Sequence, residues 1–234
     1  MAVNITKLSD LSVSSIKFSD VTQNKMGGKA IYLNSPDGGK ILLKLRPSKA
    51  IVGVAPYYAD NVNKKNVQNY KLPLAISEPE DLKVLGALNQ AVLDVIKRNE
   101  AKFFTNKKTL KDMMVNYKPF LQQPEEGSKY SPLLKTNIIW DSKSNKFETA
   151  FYDAKGNDMD PLDLVDKRGL TVTVLLQLGQ VYNTPAGFGL SIRVLQVKVA
   201  DQAKVPMRAL LDDPTEAEQS VEDEEEYEEE PETE

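Results

Sequence analysis

The chain has no histidine and no cysteine, and only one tryptophan among its 234 residues. Imidazole is the usual general base near neutral pH and the commonest zinc ligand. With thiolate missing as well, neither a Cys/His zinc site nor a Ser-His or Cys-His nucleophile pair can be assembled. Carboxylates, lysine and tyrosine are what remains for catalysis, so the expectation moves towards a binding protein without catalytic residues, metal or cofactor. Disulfides are excluded, and the cysteine count gives no support to a secretory route. No apolar run approaches the roughly 18 to 20 residues that span a bilayer. Met1 to Asp10 has neither a basic n-region nor an apolar h-region. A soluble, intracellular protein with no membrane partner is expected.

The end of the chain lacks positive charge altogether. Asp212 to Glu234 holds 14 of the 34 acidic residues and no Lys or Arg, which leaves 20 acidic residues against all 30 basic ones in residues 1–211. The formal net charge of −4 therefore conceals a basic body and an acidic tail of opposite sign. A basic body suits a polyanionic partner, and an acidic tail on the same chain competes for the same surface. Residues 212–234 carry too little apolar surface to offset the entropy of ordering, so a disordered, self-repelling tail is expected after a single domain at 1–211. Its densest stretch is Glu224, Glu225, Glu226, Tyr227, Glu228, Glu229 and Glu230, the expected regulatory segment.

Within the body, hydrophobic periodicity predicts mainly β structure with a helical insertion at about 77–118. Ile16 and Phe18 mark a short strand and Ala30 to Asn34 another. The turn Ser35-Pro-Asp-Gly-Gly39 leads into Ile41 to Arg46, where alternation sends Ile41, Leu43 and Leu45 inward and presents Lys44 and Arg46 outward. Residues 47 to 76 lack clear periodicity and are expected as a long loop or excursion. Ser77, Pro79 and Glu80 predict a capped helix start, and Leu82, Leu85, Leu88, Val92, Val95 and Ile96 recur at helical spacing. A shorter helix is expected from Thr109. Leu134, Thr136, Ile138 and Trp140 then share one strand face, which assigns Trp140 to core packing ahead of base stacking, and Phe147 and Phe151 with it. Leu170 to Leu178 and Leu190 to Val199 form the strongest β pattern. There the apolar set moves from even to odd numbers, which predicts a β-bulge near Val194. Such elements suit an antiparallel barrel like the oligonucleotide-binding fold. A β-sandwich with a helical excursion fits as well, and periodicity does not separate the two.

Basic residues interleaved with aromatics are the candidate chemistry, because Lys and Arg neutralise phosphates while aromatic rings stack on unpaired bases at about 1 to 3 kcal/mol per base. Three clusters qualify. One holds Tyr57, Tyr58, Lys64, Lys65, Tyr70 and Lys71; the second holds Phe104, Lys107 and Lys108, leading on to Tyr117 and Lys118; the third holds Lys129, Tyr130 and Lys135. Lys44, Arg46 and Arg193 join them from strand faces that turn away from the core. Other segments are weaker. Lys25 to Lys29 has glycines without phosphate-loop spacing and leads into a strand. Asp158, Asp160, Asp163 and Asp166 crowd one proline-containing loop, a poor source of the geometry that a two-metal nuclease needs.

A basic, Cys-free and His-free β-rich body carrying an Asp/Glu-dominated C-terminal tail resembles the replicative single-stranded DNA-binding proteins of tailed bacteriophages. The resemblance spans the whole chain and rests on organisation rather than on a sharp motif. It implies an oligonucleotide-binding fold that coats DNA during replication, recombination and repair, in the host bacterial cytoplasm. It also implies a tail at Asp212 to Glu234 that recruits polymerase, helicase or primase. Many such tails end on an aromatic or apolar residue, whereas this sequence ends Pro231-Glu-Thr-Glu234 and has Tyr227 as the tail's aromatic. Two readings from other classes stand beside it. One is an acidic-tailed interaction protein or chaperone for basic partners, and the other a Mg2+-dependent nuclease or recombination enzyme using Asp158 and Asp160.

Overall fold

A computed structural model describes residues 4–23, 28–60, 65–104, 108–141 and 143–200. Nine strands come first: β1 (Ile5–Lys7), β2 (Lys17–Phe18), β3 (Thr22–Gln23), β4 (Lys29–Asn34), β5 (Ile41–Lys44), β6 (Ser48–Ala50), β7 (Ala55–Asp60), β8 (Lys65–Lys71) and β9 (Leu74–Ala75). Helices α1 (Pro79–Arg98), α2 (Glu100–Phe103) and α3 (Leu110–Met113) follow. The strands then resume with β10 (Leu121–Gln122), β11 (Leu133–Leu134), β12 (Asn137–Ile138), β13 (Trp140–Asp141), β14 (Lys146–Phe147), β15 (Ala150–Tyr152), β16 (Leu170–Thr184) and β17 (Gly187–Val199).

The long antiparallel hairpin of β16 and β17 is the spine. Its inner face is the alternating set Val172, Val174, Leu176 and Leu178 on one arm and Ile192, Val194, Val197 and Val199 on the other, all buried. Leu175 pairs with Gln196 and Leu176 with Val194, so Leu195 is the extra residue of a bulge, where the change of parity places it. A second register shift falls between Leu178 and Val181. There Gly179 crosses so close to Ser191 that a Cβ would lie 2.9 Å from the Ser191 carbonyl oxygen. Along its length β16 pairs in turn with β6, β5 and β4.

The sheet curls until its path returns to itself. Residues 70–75 and 133–138 form one antiparallel ladder, with Tyr70 opposite Ile138, Lys71 opposite Asn137, Leu74 opposite Leu134 and Ala75 opposite Leu133. Between these pairs the Leu72 N–H donates to the Thr136 carbonyl, and the buried Thr136 hydroxyl donates back to the Leu72 carbonyl at 2.6 Å. One end of that ladder joins β17 through β12, and the other joins β16 through β9 and β6. The result is mainly β with a helical insertion, an OB-like barrel filled by Leu43, Leu45, Leu72, Leu74, Leu134 and the inner face of the spine.

Three local expectations change. Residues 47–76, expected as a loop, carry β6, β7, β8 and β9. β6 and β9 are only three and two residues long, while β7 has Tyr57 and Tyr58 side by side at a register shift and β8 is mostly Lys and Asn, so no period of two stands out. The helix begins at Pro79, in the first turn as expected, but its N-cap is Glu78 in place of Ser77 and makes no side-chain cap bond. Arg46 accounts for this start, since its guanidinium lies 3.7 Å from Glu78, 2.5 Å from Glu80 and 3.8 Å from Asp81, tying the first turn to the segment after β5. The third change is at the strand carrying Leu134 to Trp140, which is three short pieces. Their inward face is as expected, with Trp140 and Phe147 packed against the core and Phe151 buried. The shorter helix follows Thr109 as expected, with that residue as its N-cap accepting from the Asp112 N–H in a capping box. The expected tail at 212–234 lies outside the described residues.

Candidate nucleic-acid interface

Residues directly opposite across a ladder share a face, so the registers show what the outside of the barrel presents. One row runs Ile5, Leu42, Gln177, Arg193, Asn137, Lys71 and Ala55 across β1, β5, β16, β17, β12, β8 and β7. The next runs Lys7, Lys44, Leu175, Gln196 and Ala150. A third holds Thr173, Lys198 and Tyr152. These rows lie about 7 Å apart, twice the rise per residue, and none of their members is acidic.

Where the first row reaches the ladder of residues 70–75 and 133–138, it borders a cleft of 290 Å³. Lys71, Lys118 and Lys135 line it with Phe120, Asn137 and Tyr182. Three lysines from three separate segments thus line one cleft. Lys118 is held there by backbone: its N–H donates to the Phe188 carbonyl at 2.8 Å, and Gly187 and Gly189 admit the strand beside them. A Cβ at Gly189 would stand 2.5 Å from the Lys118 carbonyl oxygen, and one at Gly187 2.5 Å from that of Asn116. Among the described residues the ion pairs are those of Arg46, so Lys7, Lys44, Lys71, Lys118, Lys135, Arg193 and Lys198 carry uncompensated charge. Burial pushes the Lys71 ammonium below its ordinary proton affinity, and the like charge of Lys135 pushes it further. A site that holds two cations together without a carboxylate is one that an anion relaxes.

Tyr57 completes the surface. It is 42% exposed, and the Lys71 Nζ lies 4.6 Å from its ring centroid, so ring and ammonium present one base-stacking and phosphate-binding pair. Lys129 and Tyr130 are exposed on the loop between β10 and β11.

Several expected contacts lie elsewhere. Phe104 is 2% exposed and packs edge-on between Phe103 and Phe188, at centroid distances of 5.3 and 5.2 Å. Tyr70 is 8% exposed and meets Trp140 at 5.2 Å and Phe147 at 4.8 Å, so both rings are core. Tyr58 is on the Tyr70 side of β7, facing away from Tyr57, because Pro56 and not Tyr57 pairs with Tyr70. Tyr117 stacks on Phe188 at 5.3 Å, and its hydroxyl donates to Asn89. Burial pushes that phenol up to about 12, marking a brace between α1 and β17 and not a stacking platform. Arg46 is neutralised by its three carboxylates. Lys108 is exposed near Asp112 at the start of α3, away from the cleft. Lys65 is described by its backbone alone, and Lys64, Lys107 and the segment Glu224 to Glu230 with Tyr227 lie outside the described residues. Lys7, Lys198, Tyr182 and Tyr152 were not anticipated. Lys198, between buried Val197 and Val199, was readable from the alternation that exposed Arg193.

The acidic loop has structural work of its own. Asp153 holds Asn157, and Asp160 caps the turn of Pro161–Leu164 by accepting from the Leu162 N–H at 2.9 Å. Among the described residues no group of three or more acidic side chains could hold a metal ion.

No protein-family model and no curated protein sequence matches the chain. Solved structures that it resembles include bacteriophage single-stranded DNA-binding proteins. The protein from bacteriophage Enc34 in complex with ssDNA is similar at a TM-score of 0.46 and 8% identity, over 81% of this chain and 97% of that one. Its C-terminal truncation is similar at 0.45 and 9% identity, over 82% and 99%. Bacteriophage T7 gp2.5, also a single-stranded DNA-binding protein, is similar at 0.40 and 14% identity, over 82% and 100%.

Proposed function

We propose that this chain is a non-enzymatic single-stranded DNA-binding protein that lays the strand over the outer face of its barrel with little sequence preference. The observation that carries the proposal is the cleft of Lys71, Lys118 and Lys135, continuous with Arg193, Lys44, Lys7 and Lys198 and free of carboxylates in its rows. Phosphates are the ligand such a surface lacks, and Tyr57 beside Lys71 offers a ring to an unpaired base. The role that follows is coating DNA exposed during phage replication, recombination and repair. The acidic segment Asp212 to Glu234 would occupy the same cations when DNA is absent, and become available to polymerase, helicase or primase when DNA displaces it. With a Debye length of about 8 Å at physiological salt, the segment must approach closely to compete.

Titration of fluorescent oligo(dT) across a salt series tests the proposal. The logarithmic slope is expected near −0.7 per neutralised phosphate. Lys71→Ala and Lys135→Ala should each lower its magnitude by about 0.7, while Arg46→Ala leaves it unchanged because that guanidinium is already paired. A flat salt response, or a slope indifferent to both lysine substitutions, removes the interface.

A further inference from the structure

A second cleft, of 460 Å³, opens on the same outer face beside the lysine cleft. Ile51, Pro124, Tyr130 and Leu133 line it together with Gln122 and Gln123. The ladder of residues 70–75 and 133–138 fixes how close the two clefts are. Leu133 lines one and Lys135 the other, two residues apart on one face and so about 7 Å from each other. Ile51 is tied to the same point, because its N–H donates at 3.2 Å to the carbonyl of Pro73, which falls opposite Lys135 in that ladder.

The chemistry of the two clefts is complementary. One is lined by three lysines, whereas the other is mostly apolar and has Glu125 as its lone charged lining residue. A phosphate is drawn to the first and repelled from the second. A flat, neutral ring with hydrogen-bonding edges suits the second, whose apolar residues match its faces and whose Gln122 and Gln123 have the donors and acceptors its edge needs. Tyr130 is 83% exposed at the rim, a ring left in water with its backbone N–H anchored to the Ser128 hydroxyl at 3.2 Å.

We propose that the cleft of Ile51, Pro124, Tyr130 and Leu133 is a nucleobase subsite, holding one unstacked base of a strand whose adjoining phosphate lies at Lys135 and Lys71. The inference rests on the proposed function and assigns the strand a direction of facing: backbone over the lysines, base turned towards the β10–β11 loop. Tyr130 stacks on that base, and Lys129 beside it neutralises the next phosphate along.

The test compares wild type, Tyr130→Ala and Tyr130→Phe on oligo(dT) and on an abasic oligodeoxyribose phosphate of equal length. Tyr130→Ala should weaken oligo(dT) binding about 5- to 150-fold with the salt slope unchanged, and Tyr130→Phe should bind as wild type. On the abasic oligomer, which has phosphates and no rings, all three proteins should bind alike. Equal binding of wild type and Tyr130→Ala to oligo(dT) overturns the subsite, and so does an equal loss on the abasic oligomer. Failure of the wild type to bind either oligomer is a different result, which overturns the parent proposal. Because the ring is exposed, its removal leaves the core intact.

Discussion

At the scale of single residues, Lys71 is where folding and binding pull apart. Burial, then the charge of Lys135, lower its proton affinity below the ordinary 10.5. The unfolded chain therefore holds this proton more tightly than the folded one. The sign follows: the penalty is complete at neutral pH and is relieved as pH rises through the folded value towards 10.5. Thermal melts of wild type and Lys71→Gln from pH 7 to 10.5 should show wild type gaining on the variant as pH rises, while at pH 7 the variant binds oligo(dT) more weakly. A gap in melting temperature that stays constant over this range contradicts the account. The contact with the Tyr57 ring, worth about 0.5 to 1 kcal/mol at exposed sites, opposes the penalty without cancelling its direction. Chain-local alternation sufficed to expose Lys44, Lys135 and Arg193. It did not suffice for Phe104, Tyr70 and Tyr117, because a ring's role depends on which distant segment covers it. Phe188 and Trp140 do so from 84 and 70 positions away, respectively.

At the scale of elements, the segment Asn116 to Lys118 beside the start of β17 is the most exacting contact. Its approach depends on glycine, since a Cβ at Gly189 would meet backbone and not a movable side chain. Gly189→Ala should destabilise the protein by about 1 to 3 kcal/mol in urea unfolding. It should also weaken oligo(dT) binding at least as much as Lys118→Ala, since the whole strand moves. Unchanged stability would mean the segment can retreat freely. Strong alternation made β16, β17 and their bulge legible, and helical spacing did the same for α1. The hairpin of β7 and β8 escaped because its strands are rich in Asn, Lys and Tyr, residues equally at home in loops. The helix cap was misplaced by one residue because a partner distant in sequence, Arg46, gathers Glu78, Glu80 and Asp81 there.

At the scale of the whole molecule, charge is divided between residues 1–211 and the acidic stretch that follows. A protein ending at Leu211 should bind oligo(dT) more tightly than the full chain, most visibly at low salt, as a titration of the two side by side would show. Equal affinities throughout a salt series would remove the competition. That division was legible in composition alone, whereas the gathering of Lys71, Lys118 and Lys135 required the closed ladder that brings their segments together. The surplus residue Leu195 carries a last consequence. Arg193 and Lys198 stand an odd number of positions apart, which on an uninterrupted strand would send them to opposite sides, yet both point outward. The bulge is therefore what keeps the charge outside. A straight strand that took Leu195 into the ladder would turn Gln196 and Lys198 into the oily interior and Val197 and Val199 out to water, whereas excising Leu195 would restore plain alternation and leave both cations facing a polyanion.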